Sequence, residues 1–239
     1  MERLTTSFNT MKLYKYRADI YRDLLTLVNN QIYAPTVQNL NDPAETIVND
    51  SKMYEVFDLM EKSGLPINIA KDNYAKIIAQ ARTELGIFSL SKTVVNELLW
   101  AYYTNGHKGF CIEYDSEQLQ KSLSNGHLHS VLNVQYKNDT PEFSMNSITN
   151  NLVDDTQFIK CLIATKSMAW EREEEIRITL YSSGLFGISP ESVTGIYFGL
   201  RMPESDKELV KNSLKGRSIK YYQMKLKPNS YLLEAELIK

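Results

Sequence analysis

The most charged stretch of the chain, Trp170-Glu171-Arg172-Glu173-Glu174-Glu175-Ile176-Arg177, runs directly into an apolar segment. In an extended chain Glu173, Glu175 and Arg177 project from one face, and Ile176, Ile178 and Leu180 from the other. Two carboxylates then share a small area. Their repulsion raises the proton affinity of at least one unless a cation such as Arg177 compensates, an arrangement that acid and base sites use. A solvated strand end with an ion pair gives the same pattern, so the motif alone leaves both readings open.

Gly86-Ile87-Phe88-Ser89-Leu90-Ser91 puts two serine hydroxyls on one face of an otherwise apolar strand, where they line a pocket or bond the nearby backbone. Trp100, Tyr102 and Tyr103 end a helical stretch, and Asn105-Gly106-His107-Lys108-Gly109 turns into the next strand. His107 is suited to titrate near neutral pH, although a single turn histidine is more often a structural hydrogen bonder. The sequence has no glycine-rich phosphate loop, no GxSxG elbow, no HExxH and no cysteine and histidine spacing suited to zinc. His127 and His129 fall in a polar turn.

These residues need strands to hold them. Tyr and Leu at 12–17 predict a first strand, and Ile20, Leu24, Leu27 and Val28 give the apolar stripe of a helix over 19–28. After an extended piece at 31–34, Asn41-Asp42-Pro43 signals a turn, since Pro43 biases Asp42 away from helix. Helices follow over 52–62 and 72–84, broken by Gly64 and Pro66. Gly86–Leu90 reads as a buried strand, and Val94–Tyr103 as a helix with Val95, Leu98, Leu99 and Tyr102 inward. The pattern continues with strands over 110–114 and 131–136, helices over 116–123 and 142–165, and strands over 175–181, 193–198, 218–224 and 231–234, with a helix over 204–214. The expected class is α+β: a mixed, largely antiparallel sheet with helices inserted between strands. No repeat or linker marks a boundary, so residues 1–239 read as a single domain.

Composition narrows the function classes. The chain is 43% hydrophobic and 23% charged, which suits a packed core rather than disorder. Its 27 Lys and Arg are outnumbered by 29 Asp and Glu, so no overall positive field is available to hold a polyanion. Residues 1–10 lack a basic segment leading into an apolar one, and eighteen apolar residues never run together, so a cytoplasmic protein with no membrane partner is expected. Cys111 and Cys161 each lie in an apolar stretch and read as reduced core residues.

Tyr14-Lys15-Tyr16-Arg17, Leu40-Asn41-Asp42-Pro43-x-Glu45, Phe88-Ser89-Leu90-Ser91, Trp100-x-x-Tyr103, His107-x-Gly109-Phe110 and Trp170-x-x-Glu173-x-Glu175-x-Arg177, in this order, resemble the bacterial domain of unknown function family 2971. Ala44 departs from the large aromatic that usually follows Asn-Asp-Pro there, a packing change. The family name implies no activity.

The order of the motifs is also similar to that of ADP-ribosyltransferases, which carry a basic or histidine residue on an early strand, a Ser-x-Ser or tyrosine strand in the middle and a Glu-x-Glu or lone Glu on a late strand. That resemblance implies an ADP-ribosyltransferase-like fold and NAD as substrate, cleaved through an oxocarbenium-like state that a carboxylate stabilises. By the same resemblance Glu175 is the principal carboxylate and Glu173 orients the acceptor, a protein or a nucleic acid. Lys15 or Arg17 meets the pyrophosphate, and Ser89 and Ser91 support the nicotinamide ribose. Tyr16, Trp100, Tyr103, His107 and Arg177 complete the expected binding residues. A toxin or phage-defence effector is the context that analogy suggests. Two other classes stand beside it: a metal-dependent nuclease using Asp42, Glu113, Glu173 and Glu175 with Lys166, and a binding module whose polar cluster is a structural network around Trp100 and Trp170.

Overall fold

The computed structural model describes residues 11–64, 66–142 and 155–238. Among these, the chain builds strands β1 (Lys12–Arg17), β2 (Gln31–Ala34), β3 (Gly86–Ser91), β4 (Phe110–Asp115), β5 (Leu128–Asn133), β6 (Gln135–Lys137), β7 (Thr165–Ser167), β8 (Glu175–Leu180), β9 (Gly184–Gly187), β10 (Val193–Phe198), β11 (Lys220–Leu226) and β12 (Leu233–Ile238). Between them lie helices α1 (Ile20–Val28), α2 (Ser51–Lys62), α3 (Asn68–Thr83), α4 (Glu97–Tyr103), α5 (Ser116–Leu123), α6 (Asp155–Ile163) and α7 (Glu204–Ser213).

Eight strands form one sheet in the order β12-β11-β10-β4-β1-β3-β8-β5. All neighbours in it are antiparallel except β10 and β11, which are parallel and joined through α7. This is the α+β, mostly antiparallel architecture expected. Two short ribbons, β2 with β9 and β6 with β7, flank it.

The period-two pattern of the central strands sorts side chains onto two faces. Leu13, Phe88, Leu90, Ile112, Tyr114, Ile176, Ile178, Leu180, Ile196 and Phe198 form the main core with Leu24 and Leu27 of α1, Leu119 and Leu123 of α5, and Val210 of α7. On the other face two smaller apolar clusters stand apart. One gathers Tyr16, Leu99, Trp100, Cys111, Tyr197 and Met224, and the other Ala81, Leu85, Ile87, Leu132, Leu162 and Ile163. The polar residues of β3 and β8 lie on this second face.

Side-chain caps fix where the helices begin. Asp19 accepts from the backbone N–H of Arg22, Asp115 from those of Glu117 and Gln118, and Asn96 from those of Leu98 and Leu99. The last cap corrects the expected helix over 94–103, which starts three residues later, at Glu97. The inward stripe rotates with it: Leu99 and Trp100 are buried, whereas Val95, Leu98 and Tyr102 are exposed. Val28 of α1 also faces outward. The helix expected over 142–165 is helical in its described part only at Asp155–Ile163, because Thr165 already pairs in β7; residues 143–154 lie outside the described residues. The strand expected over 131–136 divides into β5 and β6. Cys111 and Cys161 are free, the first buried and the second partly so. No helix of the described residues is long and apolar enough to cross a membrane.

Candidate functional site

Strand register sets the floor of the site. Ser91 lies opposite Glu175 and Ser89 opposite Arg177 across the β3 and β8 pair, which puts two hydroxyls, a carboxylate and a guanidinium on one face. On the other side of β3 the pairing with β1 is confined to Tyr14 opposite Ser91, although β1 pairs with β4 along its whole length. Beyond that point a side chain bridges the two strands: the Lys15 ammonium donates to the Ser89 carbonyl at 2.7 Å. A cavity of about 570 Å³, its open mouth included, occupies this place between the two apolar clusters.

Glu173 reaches the cavity by a route different from the expected extended run. It ends a 3-10 turn over Met168–Glu173, and Glu174 then takes a left-handed conformation, φ 46°, before β8 begins at Glu175. The turn replaces strand alternation, yet both carboxylates still line the cavity.

Charge pairing dominates the back wall. Arg177 is 1% exposed and engages every N–H it has. Its Nη1 and Nη2 donate to the two Glu45 oxygens at 2.8 and 2.5 Å, Nε and Nη2 to Glu175 at 2.8 and 3.2 Å, and Nη1 to the Ile163 carbonyl at 2.7 Å. Lys166 donates to Glu173 at 2.7 Å and lies 3.5 Å from Glu175 and 3.7 Å from Glu45, with the Trp170 ring 4.7 Å away. Three carboxylates therefore face two cations, and the cluster carries one net negative charge against the cavity. Glu173 also accepts from the Tyr103 hydroxyl at 2.6 Å, and that hydroxyl accepts from the Asn41 amide at 2.7 Å. The Tyr136 hydroxyl accepts from the backbone N–H of Glu175 at 2.8 Å.

These contacts determine protonation. Burial opposes ionisation of Glu175, but the Arg177 guanidinium, Lys166 and the Ser89 hydroxyl outweigh it and hold the carboxyl at about 2. Burial raises the Tyr103 hydroxyl, and the adjacent Glu173 carboxylate raises it further. Lys15 moves the other way. Burial and then the neighbouring Arg17 charge bring its ammonium down to about 7, against the pull of Glu175, Asp23 and Glu173. Among the described residues no carboxylate comes within 4.0 Å of the Lys15 ammonium, which carries no ion pair and makes its hydrogen bond to the Ser89 carbonyl.

Of the residues singled out in the sequence, Lys15, Tyr16, Ser89, Ser91, Tyr103, Glu173, Glu175 and Arg177 line this one cavity. Three others do not. Arg17 ion-pairs with Asp23 of α1 at 3.5 Å, within the main core side of β1. Trp100 is wholly buried, donates through its indole N–H to the Val94 carbonyl at 2.6 Å and packs edge-on against Tyr16. His107 stacks on Trp100, its Nδ1 buried without a partner and its proton affinity lowered by burial and then by the Arg201 charge. Both residues back the wall from behind. In the other direction, sequence reasoning left Glu45 as a motif letter and did not single out Tyr136. Lys166 entered only the nuclease reading. Glu45 follows the Asn-Asp-Pro turn and meets Arg177 across 132 residues, a contact that no local periodicity signals. Of the nuclease set, Glu113 lies outside the cavity, bonded to Tyr197 at 2.6 Å and Thr194 at 2.7 Å, and Asp42 accepts from the Ala44 N–H within its own turn.

Residues 99–178 match the model of the family described as protein of unknown function (DUF2971). The match bears out the resemblance drawn from the motif order, and it takes in Tyr103, Lys166, Glu173, Glu175 and Arg177. No curated protein and no solved structure matches the chain.

Proposed function

We propose that the cavity binds NAD and that the protein breaks the glycosidic bond between nicotinamide and ribose, passing ADP-ribose to an acceptor nucleophile. The observation that carries this reading is the adjacency of β1, β3 and β8, by which Lys15, the Ser89 and Ser91 pair and Glu175 come to line one cavity from three neighbouring strands. In the reaction the C–N bond pair leaves with nicotinamide, positive charge develops on the ribose, and an acceptor oxygen, nitrogen or water attacks the anomeric carbon and gives up its proton.

A carboxylate stabilises that developing charge only if it is ionised. Glu175, held at about 2, is ionised throughout the neutral range, and the cluster behind it keeps one net negative charge. Fixed partners also mean that little reorganisation is needed when the charge appears. Lys15 supplies the opposite sign near β1, where a pyrophosphate would meet it. Ser91 already accepts from the Thr93 N–H at 3.2 Å, which keeps its own hydroxyl proton available to a ligand.

Calorimetric titration of the purified chain with NAD, with ADP-ribose and with a divalent ion tests the reading. Saturable NAD binding that Ser89→Val weakens supports it. Absence of NAD binding beside tight uptake of the divalent ion would replace it with the metal-dependent one.

A further inference from the structure

Glu45 reaches Arg177 from a turn whose next residue is under strain. Thr46 is buried, β-branched and left-handed, with φ 62°. A β-branched residue rarely adopts that conformation, because its Cβ substituents crowd the backbone, and such a conformation persists only where surrounding contacts impose it. The Glu45 N–H donates to the Asp42 carbonyl at 3.2 Å and the Ile47 N–H to the Ala44 carbonyl at 3.3 Å, which closes the turn, and one side chain clamps Thr46 itself. Arg82, in the last turn of α3, donates from Nε to the Thr46 hydroxyl at 3.0 Å and from Nη2 to the Thr46 carbonyl at 2.9 Å. Two parallel bonds from a rigid guanidinium fix orientation as well as distance.

The consequence is a continuous chain of contacts from Arg82 to Thr46, by one peptide bond to Glu45, and from Glu45 to Arg177 and Glu175. If the turn relaxed, Glu45 would withdraw from Arg177. Two of the guanidinium N–H groups would then be free to turn on the cavity, and the net negative charge of the cluster would be cancelled.

We infer that Arg82 is a positioning residue for the cavity: by pinning the strained Thr46 turn from α3, it holds Glu45 on Arg177 and so sets the charge that Glu175 presents to the ligand. Arg82 lies outside the cavity lining and touches none of the carboxylates that form it. As regards catalysis the inference rests on the NAD reading above; as regards the position of Glu45 it rests on the geometry alone.

The experiment uses the full chain and two readouts. The first is the emission of Trp170, taken as the difference between each protein and its Trp170→Phe counterpart; the indole stands over Lys166 and senses any movement of that cation. The second is nicotinamide release from NAD. Arg82→Ala is expected to shift the Trp170 emission and to lower nicotinamide release about tenfold or more, chiefly in kcat. Adding Thr46→Gly, which lets the turn adopt positive φ without a clamp, is expected to restore both to within about threefold.

Circular dichroism checks the helices. Should Arg82→Ala melt α3, Arg82→Lys decides instead, since it retains the charge and most of the stem but loses the fork. Unchanged Trp170 emission in the folded Arg82 variant overturns the inference, and so does a loss that Thr46→Gly fails to restore. A wild-type protein that releases no nicotinamide, with the emission shift and its rescue still present, sinks the NAD reading and leaves the positioning role of Arg82 standing.

Discussion

Glu45 and Arg177, 132 residues apart in the chain, meet as a two-pronged ion pair with N···O distances of 2.8 and 2.5 Å, both side chains almost fully removed from solvent. The pair joins an irregular turn to β8, the strand next to the sheet's edge, and it leaves Arg177 with no N–H to offer a ligand. Arg177 is therefore the keystone of the back wall, whereas Lys15, Tyr103 and the two serines are the groups positioned to meet whatever enters.

Removing Arg177 should accordingly act on folding before it acts on binding. Arg177→Met strands Glu45 and Glu175 as buried carboxylates, and breaking a buried pair in this way costs about 3–5 kcal/mol. Urea denaturation should register a loss of that size. Glu45→Gln, which keeps the shape and removes one charge, should cost less. A loss under about 1 kcal/mol for Arg177→Met would mean that water already reaches the cluster.

Lys15 gives the cavity a pH dependence of definite sign. In the unfolded chain its amine holds a proton up to about 10.5, but in the folded protein only up to about 7. Between these values unfolding takes up a proton, so this group makes stability rise with pH. Lys15→Met removes the cost of the buried charge. Its Tm should exceed that of the wild type at pH 6, and the difference should shrink from about pH 7 and vanish above about 10.5. An equal difference at both ends would show that the effect is packing and not charge.

The same proton governs anion binding. NAD affinity should fall as pH rises through about 7, where the free protein loses the Lys15 charge, and salt should weaken what remains at lower pH. Glu175 adds no limb of its own in the ordinary carboxylate range, because it stays ionised down to about 2. A titration series between pH 5.5 and 8.5, a window set on either side of that value of about 7, checks both statements. Affinity that is flat through neutrality counts against Lys15 as the anion contact.

Arg17→Ala and His107→Ala separate the cavity from its backing. Neither residue lines it, so each should leave the NAD dissociation constant within about twofold of wild type, whereas Tyr103→Phe should raise it by stripping Glu173 of a hydroxyl donor. Comparable losses from all three would redraw the site.

Much of this was written locally in the sequence. The β8 alternation and the β3 serines fall on the faces that period two assigns them, and Glu173 and Glu175 converge as expected even though a 3-10 turn, not an extended run, delivers the first. The misplacements have particular causes. The Asn96 cap leaves Val95 outside α4, and the face that packs inward carries Leu99 and Trp100 in place of Leu98 and Tyr102. Trp100 shares a motif with Tyr103 and His107 heads the next one, and only the packing of α4 on β1 decides which of them looks into the cavity. Glu45, Lys166 and Tyr136 come from a turn and two short ribbon strands whose contacts with β8 are tertiary, and single-chain periodicity carries no signal for such contacts.

Nicotinamide release from NAD by the wild type and by Glu175→Gln, measured with candidate protein and nucleic-acid acceptors present and with Tm recorded alongside, tests the central claim most directly. Gln preserves the volume and removes the ionised carboxylate. The expected result is release by the wild type and a fall of at least about a hundredfold in the variant, with the fold intact. No release from the wild type under any of these conditions, or a folded Glu175→Gln that releases nicotinamide as fast as the wild type, would contradict it.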